Sequence, residues 1–321
     1  MDILFLGKKE IEELVSMDEA IEVIEEMFKD FGNGQVVCPP KLVMDLRPHG
    51  IEGWINSMPA YLKKAGVAGT KSVNVHYTNA VKKLPTTMGV VILNDPETGR
   101  PFAVMDGMFV THIRTGAASA VAVKYLNKKD ACVVSIIGAG AEGRNNYHAV
   151  SRVMDVKKVK VYDIVSSASE NFKNHVGSGI EVQICHTPEE CAKGADVLLI
   201  CTTAKEPVID LEDVDAGTLI VEIGGFTDLD ASAVTKADKF IVDEKECALK
   251  RISQVAGYKL ESGQVYAEVG DIVVGRKAGR SSDQEVILYA PVGMGAEDVA
   301  VAYYAYKKAM KLGKGTTLEL F

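Results

Sequence analysis

The sequence predicts an α/β chain, with a doubly wound parallel sheet set between two stretches of an α+β region. Three observations carry this. Residues 131–163 read as strand, G-x-G-x-x-G turn, helix, strand and acid. Beyond them, near-continuous apolar β runs alternate with helix-compatible segments, as in strands buried on both faces. Before them, residues 1–110 hold a long helix and alternating β runs joined by tight turns.

Ser16-Met17-Asp18-Glu19 has the S-x-x-E form of a capping box. Ala20, Ile21, Val23, Ile24, Met27, Phe28 and Phe31 follow at helical spacing until Gly32-Asn33-Gly34 ends the helix. Cys38-Pro39-Pro40 breaks the chain before an alternating β run at 41–46, and 53–61 reads as strand into loop. Residues 67–76 alternate again, with Lys71, Val73 and Val75 on one face. A lysine among valines is either solvated at a sheet edge or reserved for chemistry. Residues 89–93 and 101–105 form a hairpin around Asn94-Asp95-Pro96-Glu97-Thr98-Gly99. A helix of small residues spans 111–126, and Arg114 at its start is either a terminal salt-bridge partner or a site residue.

In the central stretch, Gly138 allows the tight turn, Gly140 lets a pyrophosphate approach the backbone, and Gly143 lets the helix pack on the strand. The helix beginning at Ala141-Glu142 turns unpaired N–H groups and a positive dipole end toward phosphate. Asp163 lies 25 residues after Gly138, near the usual spacing of about 20 for the acid that binds the ribose hydroxyls. Ile164 and Val165 follow it with no arginine at hand, so NAD is favoured over NADP. Further strands are expected at 182–185, 196–203, 218–223, 239–243 and 285–289, with helices opening at Thr187, over 268–277, and over 296–312 before Gly313. Ligands sit outside the C-terminal ends of such strands, which points to Thr202-Thr203 and to Gly224-Gly225-Phe226.

The 321 residues suffice for two domains. A net charge of −8, with no Lys/Arg run longer than two, argues against a nucleic-acid surface. No apolar run approaches the ~20 residues of a membrane span. The first residues turn acidic and amphipathic at once, so no signal peptide is expected. Six cysteines without C-x-x-C spacing read as buried thiols, with no metal site. The expected compartment is the cytoplasm.

Several stretches together resemble the ornithine cyclodeaminase/mu-crystallin family. They are Met58-Pro59-Ala60-Tyr61, Lys71 with Val73-Asn74, Leu84-Pro85-Thr86, and Asp95-Pro96-Glu97-Thr98-Gly99-Arg100-Pro101. Arg114-Thr115-Gly116-Ala117-Ala118, Gly138-Ala139-Gly140, and Gly279-Arg280-Ser281-Ser282-Asp283 extend the match. The order looks most like the alanine dehydrogenase branch. The resemblance implies a Rossmann domain (117–291) inserted into a substrate and dimerisation domain (1–116 plus 292–321), and a homodimer.

It also implies roles. Arg114 would grip a substrate carboxylate, Lys71 would contact the carboxylate or carbonyl oxygen and assist proton transfer, and Lys41, Asn56 and Thr86 would line the substrate site. Thr115, Gly138, Gly140, Ala141, Glu142, Gly143, Asp163, Thr202, Thr203 and Gly224 would hold NAD. Many members carry an acid–base aspartate directly after the glycine pair, where this chain has Phe226. Either Asp228 takes that role or the site works without it. The glutamine usual after Gly140 is also absent.

The implied activity is NAD-dependent interconversion of a small 2-amino acid with its 2-imino or 2-oxo acid, of alanine dehydrogenase or ketimine reductase type. The alternative is an ornithine cyclodeaminase using NAD catalytically to give proline and ammonia. A third reading is a crystallin-like cofactor-binding protein with little turnover.

Overall fold

The computed structural model describes residues 2–256 and 259–320. The chain divides into two compact units, Met1–Arg114 with Met294–Phe321, and Thr115–Gly293.

The first unit begins with β1 (Asp2–Leu6), α1 (Lys8–Leu14), α2 (Met17–Gly32), β2 (Val36–Val37), β3 (Leu42–Asp45), β4 (Gly53–Leu62), β5 (Val67–His76), β6 (Thr87–Asn94) and β7 (Pro101–Asp106); α3 (Gly107–Leu126) follows. The capping box of α2 forms, with Glu19 N–H donating to Ser16 Oγ at 3.3 Å and Ser16 N–H to Glu19 Oε2 at 3.0 Å. Its buried face is Met17, Ala20, Ile21, Ile24, Met27 and Phe28.

Two expectations are corrected here. Strand β4 does not become a loop but continues through Pro59 to Leu62. It pairs with β3 over residues 54–57 and with β2 at Tyr61 and Leu62, so Pro59 lies in the interval between them and its missing N–H breaks no ladder bond. Helix α3 starts at Gly107, capped by Asp106 Oδ1 accepting from Phe109 N–H at 2.8 Å. Arg114 therefore sits two turns inside the helix rather than at its start.

The second unit runs β8 (Val133–Ile137), α4 (Ala141–Val150), β9 (Lys158–Tyr162), α5 (Ser166–Lys173), β10 (Glu181–Ile184), α6 (Pro188–Ala192), β11 (Val197–Ile200), β12 (Leu219–Glu222), α7 (Ala233–Lys236), β13 (Lys239–Val242), α8 (Lys245–Ala256), β14 (Ala267–Glu268), α9 (Val269–Val273) and β15 (Ile287–Tyr289). The strands lie in the order β10-β9-β8-β11-β12-β15-β13-β14, and every pair is parallel. Strand order reverses between β8 and β11, the switch point at which doubly wound sheets bind ligands. Strands β11, β12 and β13 are buried along their whole length, which is why they read as unbroken apolar runs. The helix expected over 268–277 is confined to α9.

The chain then returns to the first unit as α10 (Gly295–Leu312) and β16 (Thr316–Glu319). Gly313, at φ 63°, ends α10. Strand β16 pairs antiparallel with β1; all four of its residues are exposed, so no apolar alternation announces it. The first sheet has the order β16-β1-β7-β6-β5-β4-β2, with β3 on β4. Helix α10 packs on one face of β4, β5 and β6 and against α2. No helix among the described residues is long and apolar enough to cross a membrane.

Candidate active site

Strand β5 is flanked by β4 and β6, so Lys71 is not at an edge. Alternation turns Val67, Gly69, Lys71 and Val73 toward α10, and Lys71 is only 1% exposed. Its Nζ donates to Asp298 Oδ1 at 2.7 Å and to Thr111 Oγ1 at 3.0 Å. Arg114 Nε donates to the same Asp298 oxygen at 3.2 Å, and its Nη1 donates to Glu297 Oε2 at 2.6 Å. Thus β5, α3 and α10 bring a lysine, an arginine and two acids together within the first unit.

Both acids are completely buried. Removing one partner from such a group leaves a charge stranded, at a cost of about 3–5 kcal/mol. Burial drives the Lys71 pKa down to about 8, with Asp298 working to raise it and the Arg114 charge to lower it. A lysine so placed exchanges its proton close to neutral pH. Asp298 Oδ2 is buried and takes no hydrogen bond from the described residues.

Asn56 pairs with Val73 across β4 and β5, which puts it on the Lys71 face, and its Oδ1 is buried with no hydrogen-bond partner among the described residues. Lys41 lies half-buried just before β3, and Thr86 half-buried just before β6, where its carbonyl accepts from His76 N–H at 2.8 Å.

The second unit holds the glycine-rich turn between β8 and α4. Gly138 has φ 99°, and a side chain there would strike the Cys201 carbonyl; one at Gly143 would strike the Gly138 carbonyl at 2.1 Å. A Cβ at Gly140 would meet nothing within 4 Å, so that residue keeps a surface open rather than a contact close. Gly140 and Ala141 are exposed at the start of α4, with Glu142 half-buried behind them. Asp163 ties the turn to the end of β9: Oδ2 accepts from Ala139 N–H and Oδ1 from Val165 N–H, both at 2.8 Å. Ile164 beside it is 89% exposed. Thr115 opens this unit half-buried in α3.

Asp228, one of the two alternatives for the acid–base role, lies in the second unit. Its carboxyl is 0% exposed and lies against Gly224, where a Cβ would come 2.1 Å from Oδ2. That oxygen accepts from Thr202 Oγ1 at 2.7 Å. So enclosed, Asp228 is engaged with Thr202. Thr203 is exposed beside it. Phe226 adopts φ 68°, unusual for a bulky residue, and is buried against Phe240 with ring centroids 6.4 Å apart. The backbone strain costs about 1–2 kcal/mol, and burying the ring returns up to about 3.

Sequence reasoning missed Glu297 and Asp298. Two acids in the first turn of a helix ordinarily complement its dipole in solvent, and only their contacts with Lys71 and Arg114 distinguish these.

The model of the ornithine cyclodeaminase/mu-crystallin family matches residues 1–313. Alanine dehydrogenase of Archaeoglobus fulgidus is 38% identical over 329 residues, covering 100% of this chain and 99% of the relative. An archaeal alanine dehydrogenase dimer with bound NAD superposes with a TM-score of 0.93 at 38% identity, over 100% of both chains. The Δ1-pyrroline-2-carboxylate reductase of Thermococcus litoralis, in complex with NADH and L-proline, superposes with a TM-score of 0.89 at 36% identity, over 98% of this chain and 99% of that one. The chain belongs to the ornithine cyclodeaminase/mu-crystallin family.

Proposed function

We propose that the protein is an NAD-dependent oxidoreductase that interconverts a small 2-amino acid with its 2-imino or 2-oxo acid. The observation that carries this is the buried Lys71–Asp298–Arg114 group, in a chain that also has a dinucleotide-binding turn. Relatives named as alanine dehydrogenase and Δ1-pyrroline-2-carboxylate reductase, with NAD or NADH in their structures, support it.

The second unit fits the cofactor. The open surface at Gly140 and the N-terminus of α4 suit a pyrophosphate, and Asp163 suits ribose hydroxyls while repelling a 2′-phosphate. Gly138, Gly140, Ala141, Glu142, Gly143, Asp163, Thr115, Thr202, Thr203 and Gly224 would hold it. When bound, NAD supplies the acceptor, and NADH the donor, of a hydride.

The protein's own groups do the rest. Arg114 binds the substrate carboxylate with a guanidinium whose plane Glu297 and Asp298 fix. Lys71 gives or takes the proton at the carbonyl oxygen or at the attacking water. Asp298 Oδ2 accepts from the substrate nitrogen. Lys41, Asn56 and Thr86 shape the side-chain pocket. The assay is product analysis with NADH, ammonia and a panel of 2-oxo acids and cyclic imines; an amino acid formed with equimolar NADH oxidation supports the reading.

A homodimer belongs to the same proposal. Phe5, Leu42, Met44 and Val90 are 43–71% exposed. The pairing register places all four on the sheet face opposite α10. An exposed apolar sheet face of this kind suits a second copy, and the archaeal alanine dehydrogenase is described as a dimer. Light scattering coupled to size exclusion gives the mass directly. The six thiols suit a cytoplasmic setting.

A further inference from the structure

Glu222 and Asp228 are two carboxyl groups in one dry place. Glu222 ends β12 with 1% of its surface exposed, and Asp228, in the segment after it, has 0%. The two carboxyl groups neighbour each other, and the Asp228 charge bears directly on Glu222. Glu222 Oε1 also accepts from Phe226 N–H at 2.9 Å, and Asp228 Oδ2 accepts from Thr202 Oγ1 at 2.7 Å. Asp228 Oδ1 is buried and has no hydrogen-bond partner among the described residues.

Two carboxylates in contact, each shut away from water, cannot both be ionised without a large penalty. Burial, followed by the Asp228 charge, pushes Glu222 well above the usual carboxylate range. Around Cys201 the neighbouring charges are Glu142, Asp228 and Glu222, all acidic; on the turn that follows Glu222, Arg251 Nη2 lies 3.6 Å from where a Cβ at Gly225 would stand. A proton on Glu222 satisfies the orphaned Asp228 oxygen and removes the repulsion together.

We propose that Glu222 is a neutral carboxylic acid whose O–H donates to Asp228 Oδ1, and that this pair positions the loops after β11 and β12 for the cofactor. The connections run from Phe226 N–H through Glu222 and Asp228 to the Thr202 hydroxyl, which itself accepts from Ala204 N–H at 3.1 Å. Val208 N–H to the Asp228 carbonyl, at 2.9 Å, and Thr227 Oγ1 to the Ala204 carbonyl, at 2.6 Å, tie the same two loops. The pair also anchors the left-handed Phe226 turn. Glu222, 1% exposed, is thus a positioning residue that acts through Phe226 and Asp228. Its consequence for NAD rests on the function proposed above, whereas its proton does not.

The test begins without cofactor. An infrared difference spectrum of the native protein against Glu222→Gln at neutral pH should show one protonated carboxylic acid band lost, and Asp228→Asn should shift that band. Absence of such a band overturns the proposal. NADH titration, followed by fluorescence, then reads the positioning. Glu222→Ala should raise Kd by about tenfold, the order expected when a buried acceptor loses its donor. Glu222→Gln, which keeps an N–H for Asp228, should restore most of the affinity. Equal affinities in the Ala and Gln variants would overturn the positioning role. Failure of the native protein to bind NADH would contradict the cofactor reading, with the infrared band still deciding the proton.

Discussion

Lys71 and Asp298 are 227 positions apart in the chain, yet the lysine Nζ lies 2.7 Å from the carboxylate oxygen, and neither side chain is more than 1% exposed. Burying a charged pair gains little over apolar packing. Its value lies in what it prepares: a lysine held in one position, with a pKa brought down to about 8, in contact with the acid that also orients Arg114.

Removing either end should therefore separate chemistry from cofactor binding. Lys71→Ala should lose most turnover while keeping its affinity for NADH, measured by fluorescence titration, because Lys71 and the dinucleotide turn belong to different units. Asp298→Asn should lose turnover too, and lower the melting temperature by several degrees, since a stranded buried charge costs about 3–5 kcal/mol. Loss of NADH affinity in a folded Lys71→Ala protein would contradict this division.

The pH dependence has a definite sign. Lys71 is protonated below about 8 and neutral above it. As the acid in reduction it is competent at low pH, so the reductive rate should fall as pH rises through about 8. As the base in oxidation it is competent at high pH, so the oxidative rate should rise through the same value. Lys71→Arg, charged at every accessible pH, should lose the oxidative limb. Parallel pH–rate profiles in both directions check this.

Asp163 should set the choice of cofactor. Asp163→Ala removes the acid that favours ribose hydroxyls and repels a 2′-phosphate. The ratio of kcat/KM for NADH over NADPH should fall about tenfold or more, one charge-assisted hydrogen bond being worth about 1.5–3 kcal/mol. An unchanged ratio would mean that another residue reads the ribose.

Stability has its own pH test at Glu19. Its Oε1 accepts from Lys308 Nζ and Tyr304 Oη, each at 2.7 Å, and joins α2 to α10. Burial works to raise its pKa, but the bonds from Lys308, Ser16 and Tyr304 win and hold it at about 2, against 4.5 ordinarily. A depressed carboxylate pKa adds stability above the unfolded value, and that contribution is lost as pH falls from about 4.5 toward 2. Glu19→Gln should cost about 1 kcal/mol at neutral pH, and the difference from the native protein should vanish over that interval in urea melts.

The dinucleotide turn was legible because its requirements are local: strand, glycines, helix and acid follow one another within 131–163. Lys71 stood out through strand alternation, although alternation alone left open whether it was solvated. Asp298 and Glu297 were not legible, because their significance depends on α10 returning to β5 and α3 from the far end of the chain. Arg114 was found by its motif but misplaced within its helix, since Gly107 to Val110 carry no helix-start signal beyond Asp106. Residues beyond Gly224-Gly225 were hardest. The sequence showed that Phe226 breaks the family pattern; that Phe226 turns into the core, and that Asp228 is sealed against Gly224 and Thr202, depends on packing.

The most direct measurement is product analysis of the purified protein with NADH, ammonia and small 2-oxo acids or cyclic imines, beside NAD with L-ornithine. The expected result is a 2-amino acid formed with equimolar NADH consumption, and loss of that turnover in Lys71→Ala. Proline and ammonia from ornithine without net change in NADH would instead make the protein a cyclodeaminase. Tight NADH binding with no turnover on any of these substrates would contradict an oxidoreductase altogether.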